Sequence, residues 1–160
     1  MTIPTTPVTR ALDSLNIPYH VFQHPGPVHS LEQAAQERNQ QPEQVIRSIV
    51  FRLTKDEYVM VLMAGPQQIS WSALRQYLGR SRLTMAKPEE VLQVTGYELG
   101  AVAPFGLPQP MRVLADESVF MPDELSLGSG IRGITVIMKS ADLKQGLGNN
   151  VEIVHFSEDS

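Results

Sequence analysis

The sequence predicts a mixed α/β (α+β) fold, and three observations support this prediction. Several short segments have a helix cap followed by apolar residues at helical spacing. Other short segments are rich in β-branched and apolar residues and are bounded by turn residues. The two kinds of segment alternate along all 160 residues without an internal repeat or a linker, so we expect one domain over residues 1–160.

The chain begins with two predicted helices on either side of a short strand. Thr6 is followed by a proline at the first helical position, which predicts a helix over residues 6–16. Residues 19–22 have the aromatic and β-branched character of a strand. The capping-box pattern Ser-x-x-Gln predicts a second helix over 30–39, and Pro42 begins one more helical turn.

The middle of the chain is predicted to form a hairpin followed by two helices. Two β-rich runs, 45–53 and 58–64, are separated by a short polar turn. The second run is apolar on both faces and is therefore expected to be a central strand. A serine cap and a terminal glycine bound a helix over 70–79, a short strand follows over 82–86, and proline and glycine bound another helix over 87–96.

The C-terminal part begins after a glycine- and proline-rich stretch and is predicted to be mostly extended. Ser140 is the expected cap of its one helix. The predicted elements in chain order are strands over 111–115, 124–127 and 133–138, a helix over 140–147, and a strand over 151–156.

The composition is that of an ordinary globular chain, and it excludes several classes of site. Hydrophobic residues make up 42% of the sequence and charged residues 19%. A formal net charge of −4 argues against tight non-specific binding to a nucleic-acid backbone, although it does not exclude a local basic patch. The absence of cysteine excludes disulfides, thiolate zinc sites and cysteine nucleophiles. Without a secretory signal or a membrane-spanning run, the chain is expected to be soluble and cytoplasmic.

Arg47 is the most informative single residue because of the strand in which it lies. Side chains alternate along a strand, so Arg47 shares a face with the apolar residues Val45, Ile49 and Phe51. A buried and unpaired guanidinium is costly, so it needs a carboxylate, a phosphate or an open cavity. Two interpretations follow: a salt bridge to an internal carboxylate, or an anion-binding group at the mouth of a pocket.

The stretch "TGYELGAVAPFGLPQP" (residues 95–110) contains three glycines and three prolines and suits neither helix nor strand. Its glycines allow backbone conformations and close approaches that side chains forbid. The amides of residues 100–103 are available as donors and could bind a carbonyl oxygen or an oxyanion. The alternative is a plain structural loop.

The remaining candidates are a late glycine turn and four histidines. "GSGIRG" (residues 128–133) lacks the Gly-Lys-Ser/Thr of a P-loop and the order of a dinucleotide site, and Ser129 lacks the context of a serine nucleophile. His20 and His24 are four residues apart, but a proline and a glycine end the strand after them, so no metal site is predicted. His29, just before a helix cap, is better placed near a pocket.

Three motifs in order resemble the YbaK/EbsC and prolyl-tRNA synthetase-associated domain family. "EQVIRSIVF" is similar to a segment in which a lysine precedes Ser or Thr and an apolar strand. "MAKPEEVLQVTGYELGAVAPFG" is similar to a helix, a Thr-Gly-Tyr/Phe step and a Gly-Gly-x-x-Pro-x-Gly loop, and "GSGIRGITV" to the late glycine turn. The resemblance extends from about Ala11 to Val154.

This resemblance implies a fold, an activity and a set of partners. The implied fold is a strongly curved, barrel-like mixed β-sheet surrounded by short helices. The implied activity is trans-editing, the hydrolysis of the ester that joins a wrong amino acid to the 3′ end of a tRNA, with no metal or organic cofactor. The implied partner is the tRNA 3′ acceptor end; an aminoacyl-tRNA synthetase and a second copy of the chain are further candidates.

The resemblance also implies site residues. Arg47, in the place of the family lysine, is expected to anchor the acyl-adenosine end, and the amides of Gly100 and Ala101 to polarise the ester carbonyl. The residues expected to contact the substrate are Ser48, His24, His29, Val102, Ala103, Pro104, Ser129 and Gly130.

The chain departs from the family pattern at several of these positions. Arginine replaces the lysine at position 47, Ala101 replaces the second loop glycine, and Ser72 and Ala73 stand where many members have lysines. These departures favour an alternative, a non-catalytic module that binds tRNA or a synthetase through a degenerate site. A third interpretation is a hydrolase of another small ester or thioester.

Overall fold

The computed structural model describes residues 4–158, and its elements follow the predicted order. The helices are α1 (Pro7–Ser14), α2 (Leu31–Glu37), α3 (Trp71–Leu78), α4 (Pro88–Thr95) and α5 (Ser140–Leu147). The strands are β1 (His20–Gln23), β2 (Ile46–Thr54), β3 (Glu57–Ala64), β4 (Thr84–Met85), β5 (Arg112–Asp116), β6 (Glu124–Gly128), β7 (Ile134–Lys139) and β8 (Val151–Val154). Single 3₁₀ turns span Pro42–Gln44, Glu117–Phe120 and Gly148–Asn150.

The strands form two open sheets, and the expected single barrel-like sheet is not found among residues 4–158. One sheet has the order β1-β7-β6 and is antiparallel; the other has the order β4-β2-β3-β5-β8 and is mixed. An isolated parallel bridge between Val45 and Ser126 joins β6 to the start of β2. Beside that bridge the side-chain amide of Gln44 donates to the carbonyl of Glu124 at 3.0 Å. Within residues 4–158 the backbone pairing between the two sheets is thus limited to this bridge.

Strand β3 confirms the prediction of a central strand, because both of its faces are buried. Alternate residues Met60 and Leu62 pack into the larger hydrophobic core with α1 and α5. Their neighbours Val61 and Met63 pack on the other face with Leu74 of α3. The all-apolar sequence of this strand is thus explained by two cores, one on each side of the five-stranded sheet.

Most helix starts follow from local capping. The hydroxyls of Thr6, Ser30 and Ser70 accept hydrogen bonds from amides three residues on, as the sequence predicts. Two details of the prediction are wrong. The side chain of Gln33 accepts from the amide of His29 and leaves the capping box at Ser30 incomplete. Ser140 is the first residue of α5, and its hydroxyl donates to the carbonyl of Asp123, just before β6, at 3.4 Å.

No helix within residues 4–158 is long and apolar enough to cross a membrane.

Candidate functional site

Two adjoining cavities form a cleft between the start of β2, the end of β6, the start of β7 and residues 98–103, which we call the cleft loop. Their volumes are about 280 Å³ and 490 Å³, and they share Arg38, Leu99, Gly100 and Thr135. The smaller cavity is also lined by Val45, Ile46, Arg47, Ser48, Val102, Leu127 and Gly128. The larger is also lined by His24, Gly26, Pro27, Val28, Arg132, Gly133 and Ile134.

The cleft has a local excess of positive charge although the chain as a whole is negative and Arg132 pairs with Glu98 of the cleft loop at 3.6 Å. Three arginines, Arg38, Arg47 and Arg132, line it, and none of the described lining residues is an aspartate or glutamate. Low-dielectric walls lined by charges of one sign concentrate the potential in a cleft. The cleft is therefore suited to an anionic or strongly polar ligand.

The guanidinium of Arg47 has no carboxylate partner within residues 4–158. One terminal nitrogen donates to the carbonyl of Gln67, and the buried Nε has no hydrogen-bond partner. Burial lowers the pKa of Arg47 below its usual value. The internal salt bridge considered above is thus not formed, and Arg47 borders the smaller cavity as a partly desolvated cation.

Ser48 lies on the opposite face of β2 from Arg47, because neighbouring side chains on a strand alternate. Its hydroxyl oxygen is buried and has no hydrogen-bond partner among the described residues. An unpaired buried hydroxyl costs about 1–3 kcal/mol. This group beside the smaller cavity is accordingly ready to bond a polar ligand or a water molecule.

The cleft loop presents backbone donors to the smaller cavity. Gly100 has a φ of 90°, a left-handed conformation that favours glycine, and both it and Val102 line the cavity. Within residues 4–158 no acceptor is found for the amides of Gly100, Val102 and Ala103. The amide of Ala101, in contrast, donates to the carbonyl of Glu98 at 3.0 Å. The amides of Gly100 and Val102, two residues that line this cavity, are therefore candidate donors to a ligand.

Close packing against the late glycine turn fixes the cleft loop. The amide of Gly130 donates to the carbonyl of Ala101 at 2.9 Å, and Arg132 Nε donates to the carbonyl of Leu99 at 2.9 Å. A Cβ placed on Gly128 would lie 2.4 Å from the carbonyl oxygen of Val102. Glycine at position 128 therefore permits β6 and the loop to approach more closely than any side chain would allow.

Tyr97 supports the loop from the protein interior. Its side chain is buried, and its hydroxyl donates to the carbonyl of Phe105 at 2.6 Å. Its ring packs against Gly130, where an added Cβ would lie 2.8 Å from a ring carbon. Thr95 accepts a hydrogen bond from the amide of Tyr97 and so directs the chain inward after α4. The Thr-Gly-Tyr step is thus a structural support for the cleft.

Other predicted site residues lie outside the cleft. Ala103 is fully buried, and Pro104 borders a separate groove beside α1 and α5. The hydroxyl of Ser129 bonds carbonyls of its own turn, to Ile134 at 2.7 Å and Ile131 at 3.0 Å. His29 is exposed before α2 and lines neither cavity. Their contacts with a substrate stay predictions.

Sequence reasoning missed Arg38, which borders both cavities. Its Nε donates to His24 Nε2 at 3.1 Å, and its Nη1 donates to the hydroxyl of Ser126 at 2.8 Å. Arg38 follows the buried residues Ala34 and Ala35 by four and three positions. That spacing places a charged residue on the buried face of the helix, and it is the signal that could have identified Arg38.

Comparison with known proteins agrees with this geometry. The family model described as "Aminoacyl-tRNA editing domain" matches residues 25–145. A proline–tRNA ligase of Kosmotoga olearia is 35% identical over 92 residues, which cover 58% of this chain and 16% of the ligase. The multifunctional Ser/Thr-tRNA deacylase ProXp-y of Escherichia coli (strain K12) is 33% identical over 88 residues, which cover 54% of this chain and 53% of the deacylase. The chain thus spans about half the length of that deacylase and about a sixth of the ligase.

A solved structure has the same fold. A protein described as a candidate trans-editing enzyme for prolyl tRNA synthetase superposes with a TM-score of 0.84 over 96% of each chain, at 22% identity. At this identity the likeness establishes the architecture, a mixed α+β fold, and no more.

Proposed function

Since the chain belongs to the aminoacyl-tRNA editing domain family, we propose that it is an aminoacyl-tRNA deacylase that hydrolyses the ester of a mischarged tRNA in trans. The observation that carries this proposal is the cleft itself. It combines three arginines, no carboxylate among its described lining residues, and two unbonded backbone amides. Such a cleft suits a polyanionic RNA end that carries a polarised carbonyl.

In the proposed reaction, water adds to the ester carbonyl and the carbonyl oxygen becomes an oxyanion. The amides of Gly100 and Val102 donate to that oxygen, and loss of one such donor typically lowers the rate by about 10²–10³. The bond to the ribose oxygen then breaks, and that oxygen takes up the proton which the water loses. The products are the free amino acid and a tRNA with a free terminal hydroxyl.

The site residues have distinct proposed roles. Arg47 holds the acyl-adenosine end, and Ser48 offers its unbonded hydroxyl to the substrate. Ala101 acts through its carbonyl, which binds the Gly130 amide and keeps the two free amides in place. The tRNA acceptor end is the proposed partner, and the cytoplasm is the proposed site of action.

Deacylation of a panel of charged tRNAs tests the proposal. The panel includes alanyl- and cysteinyl-tRNA(Pro), and also seryl- and threonyl-tRNA because of the activity named for the E. coli relative. We expect release of at least one amino acid well above the buffer rate. Folded protein that releases none of them faster than buffer would rule out the deacylase.

A non-catalytic tRNA- or synthetase-binding module is the second candidate, and the contact of Arg47 with the Gln67 carbonyl favours it. An arginine already bonded within the protein has less freedom to bind an ester than a mobile lysine. The two candidates differ in the effect of Arg47→Lys. In a deacylase that uses the arginine, Arg47→Lys lowers kcat/KM about tenfold or more, equal to the loss of about 1.4 kcal/mol of transition-state binding.

Arg52→Lys is the matched control. Arg52 lies on the same strand, pairs with Glu90 and lines neither cavity, so hydrolysis is expected to stay unchanged. Hydrolysis that appears only in Arg47→Lys would identify a decayed editing site and support the binding module. Equal rates in wild type, Arg47→Lys and Arg52→Lys would remove Arg47 from the proposed machinery.

A further inference from the structure

Arg38 is held at the cleft by a chain of hydrogen bonds. It donates to His24 Nε2 at 3.1 Å, and arginine only donates, so this ring nitrogen carries no proton. The proton of the neutral ring is then on Nδ1, which donates to a carboxylate oxygen of Glu37 at 2.6 Å. On the other side, Ser126 receives a bond from Arg38 and donates to the side-chain oxygen of Gln40 at 2.8 Å. The guanidinium is thereby fixed from two directions.

The acceptors that hold Arg38 are neutral, so its charge is offset only through space, by the nearby carboxylate of Glu37. No carboxylate within residues 4–158 forms an ion pair with it. The nearby carboxylate of Glu37 instead accepts from His24 and from Gln33. Burial lowers the pKa of Arg38 to about 10, which leaves it charged at neutral pH. A partly buried cation without a direct ion pair is costly, and a phosphate ligand would supply that pair.

The free donors of Arg38 are available to such a ligand. Its Nε and one N–H of Nη1 are engaged, and no acceptor is found for the other Nη1 hydrogen or for Nη2 within the described part of the chain. Arg38 borders both cavities beside Gly100, at the place where they adjoin. The planar fork of a guanidinium matches two oxygens of a phosphate.

We infer that Arg38 is a phosphate-binding residue of the cleft, and that His24 and Glu37 are positioning residues which orient it. The choice of an RNA 3′ end as the source of the phosphate rests on the proposed function. Free inorganic phosphate is the other source with the same chemistry. The hydrogen-bonded chain Glu37–His24–Arg38 thus holds the guanidinium in a fixed orientation toward the RNA backbone.

Binding of an uncharged acceptor-stem minihelix tests this role without any need for hydrolysis. Fluorescence anisotropy gives the association constant between about 50 and 200 mM salt, and each phosphate contact to a single strand adds about 0.7 to the slope of log K against log salt. We expect Arg38→Gln to weaken binding and to reduce the slope by about 0.7. Arg112→Gln, which removes a cation outside the cleft, leaves the slope unchanged.

Conservative variants separate phosphate binding from a purely structural role. Arg38→Lys keeps the charge and loses the fork, so we expect weaker binding with the wild-type slope. His24→Leu removes the acceptor for Arg38 Nε and weakens binding, and His24→Gln, whose side-chain oxygen can accept, restores part of it. Thermal unfolding monitored by circular dichroism identifies any variant that fails to fold. If Arg38→Gln does not fold, Arg38→Lys, His24→Leu and His24→Gln provide the test.

Several results would overturn the inference. A folded Arg38→Gln protein with the wild-type affinity and slope would show that no phosphate bonds Arg38. The assignment to RNA would also be refuted if inorganic phosphate binds only when Arg38 is present, while Arg38→Gln leaves the salt slope of minihelix binding unchanged. Failure of the proposed function is distinguishable, since a slope that depends on Arg38 without hydrolysis of any charged tRNA contradicts the deacylase and supports the phosphate contact.

Discussion

Replacing Gly128 by alanine is expected to displace the cleft loop. The new Cβ would lie 2.4 Å from the carbonyl oxygen of Val102 and 2.8 Å from the carbonyl carbon and oxygen of Ala101. The shortest of these distances is about 1 Å below the 3.4 Å at which ordinary contacts begin. All three atoms belong to the backbone and cannot rotate away, so β6 and the loop must move apart by about that amount.

The displacement is expected to lower both the stability of the fold and the rate of deacylation. Overpacking of this kind costs about 1–3 kcal/mol of unfolding free energy. A displacement of about 1 Å in groups that position a reacting carbonyl lowers the rate by about 10²-fold. Gly128→Ala is therefore expected to reduce the urea unfolding free energy by about 1–3 kcal/mol and kcat/KM for deacylation by about two orders of magnitude.

Gly26→Ala is the matched control. It adds the same methyl group at a glycine without a positive φ, where no heavy atom lies within 4 Å. The unfolding free energy of this variant should stay within about 0.5 kcal/mol of wild type. Gly26 lines the larger cavity, so this control applies to unfolding alone. If Gly128→Ala unfolds like Gly26→Ala and hydrolyses charged tRNA at the wild-type rate, the close approach of β6 to the cleft loop does not hold this site together, and the reasoning is refuted.

Two further predictions concern the support of the cleft and a surface ion pair. Tyr97→Phe removes the buried hydrogen bond to the Phe105 carbonyl, so urea unfolding should show a loss of about 1–3 kcal/mol, and an unchanged value would refute the support role. Glu152→Gln breaks the ion pair with Arg112. In the wild-type protein the Arg112 guanidinium holds the pKa of Glu152 at about 2 instead of 4.5. The ionised pair stabilises the fold above pH 4.5, by at most about 1 kcal/mol because both groups are partly exposed. The difference in unfolding free energy between wild type and Glu152→Gln should therefore shrink as the pH falls from 4.5 toward 2. A difference that does not change with pH would contradict this prediction.

The order of the elements could be predicted from the sequence because its signals are local. The hydroxyl of Thr6 and the proline after it define the start of α1 within a few residues. The unbroken apolar run of β3 indicates burial on both faces, which the structure confirms. Gly79 and Gly96 end their helices in left-handed conformations, as glycines after an apolar stripe suggest.

The separation into two sheets could not be predicted from the same signals. The sequence of β6 contains the pattern of a strand but no information about which edge it pairs with. Within residues 4–158 β6 pairs with β7 along its length and meets the chain before β2 only through the bridge at Val45. The choice of partner strand is settled only when segments distant in sequence meet.

Part of the candidate site could likewise be predicted from the sequence, and part depends on the tertiary structure. Arg47, Gly100 and the late glycine turn were identifiable from residue type and order, because strained turns and charged strand positions are visible one residue at a time. Packing determined that the Gly130 amide binds the Ala101 carbonyl, that Gly128 fits beneath the loop, and that Arg38 reaches Ser126 across 88 positions of sequence. The physical reason is range: caps and turns depend on residues a few positions apart, whereas the charge and the free donors of a cleft depend on groups that only the folded chain brings together.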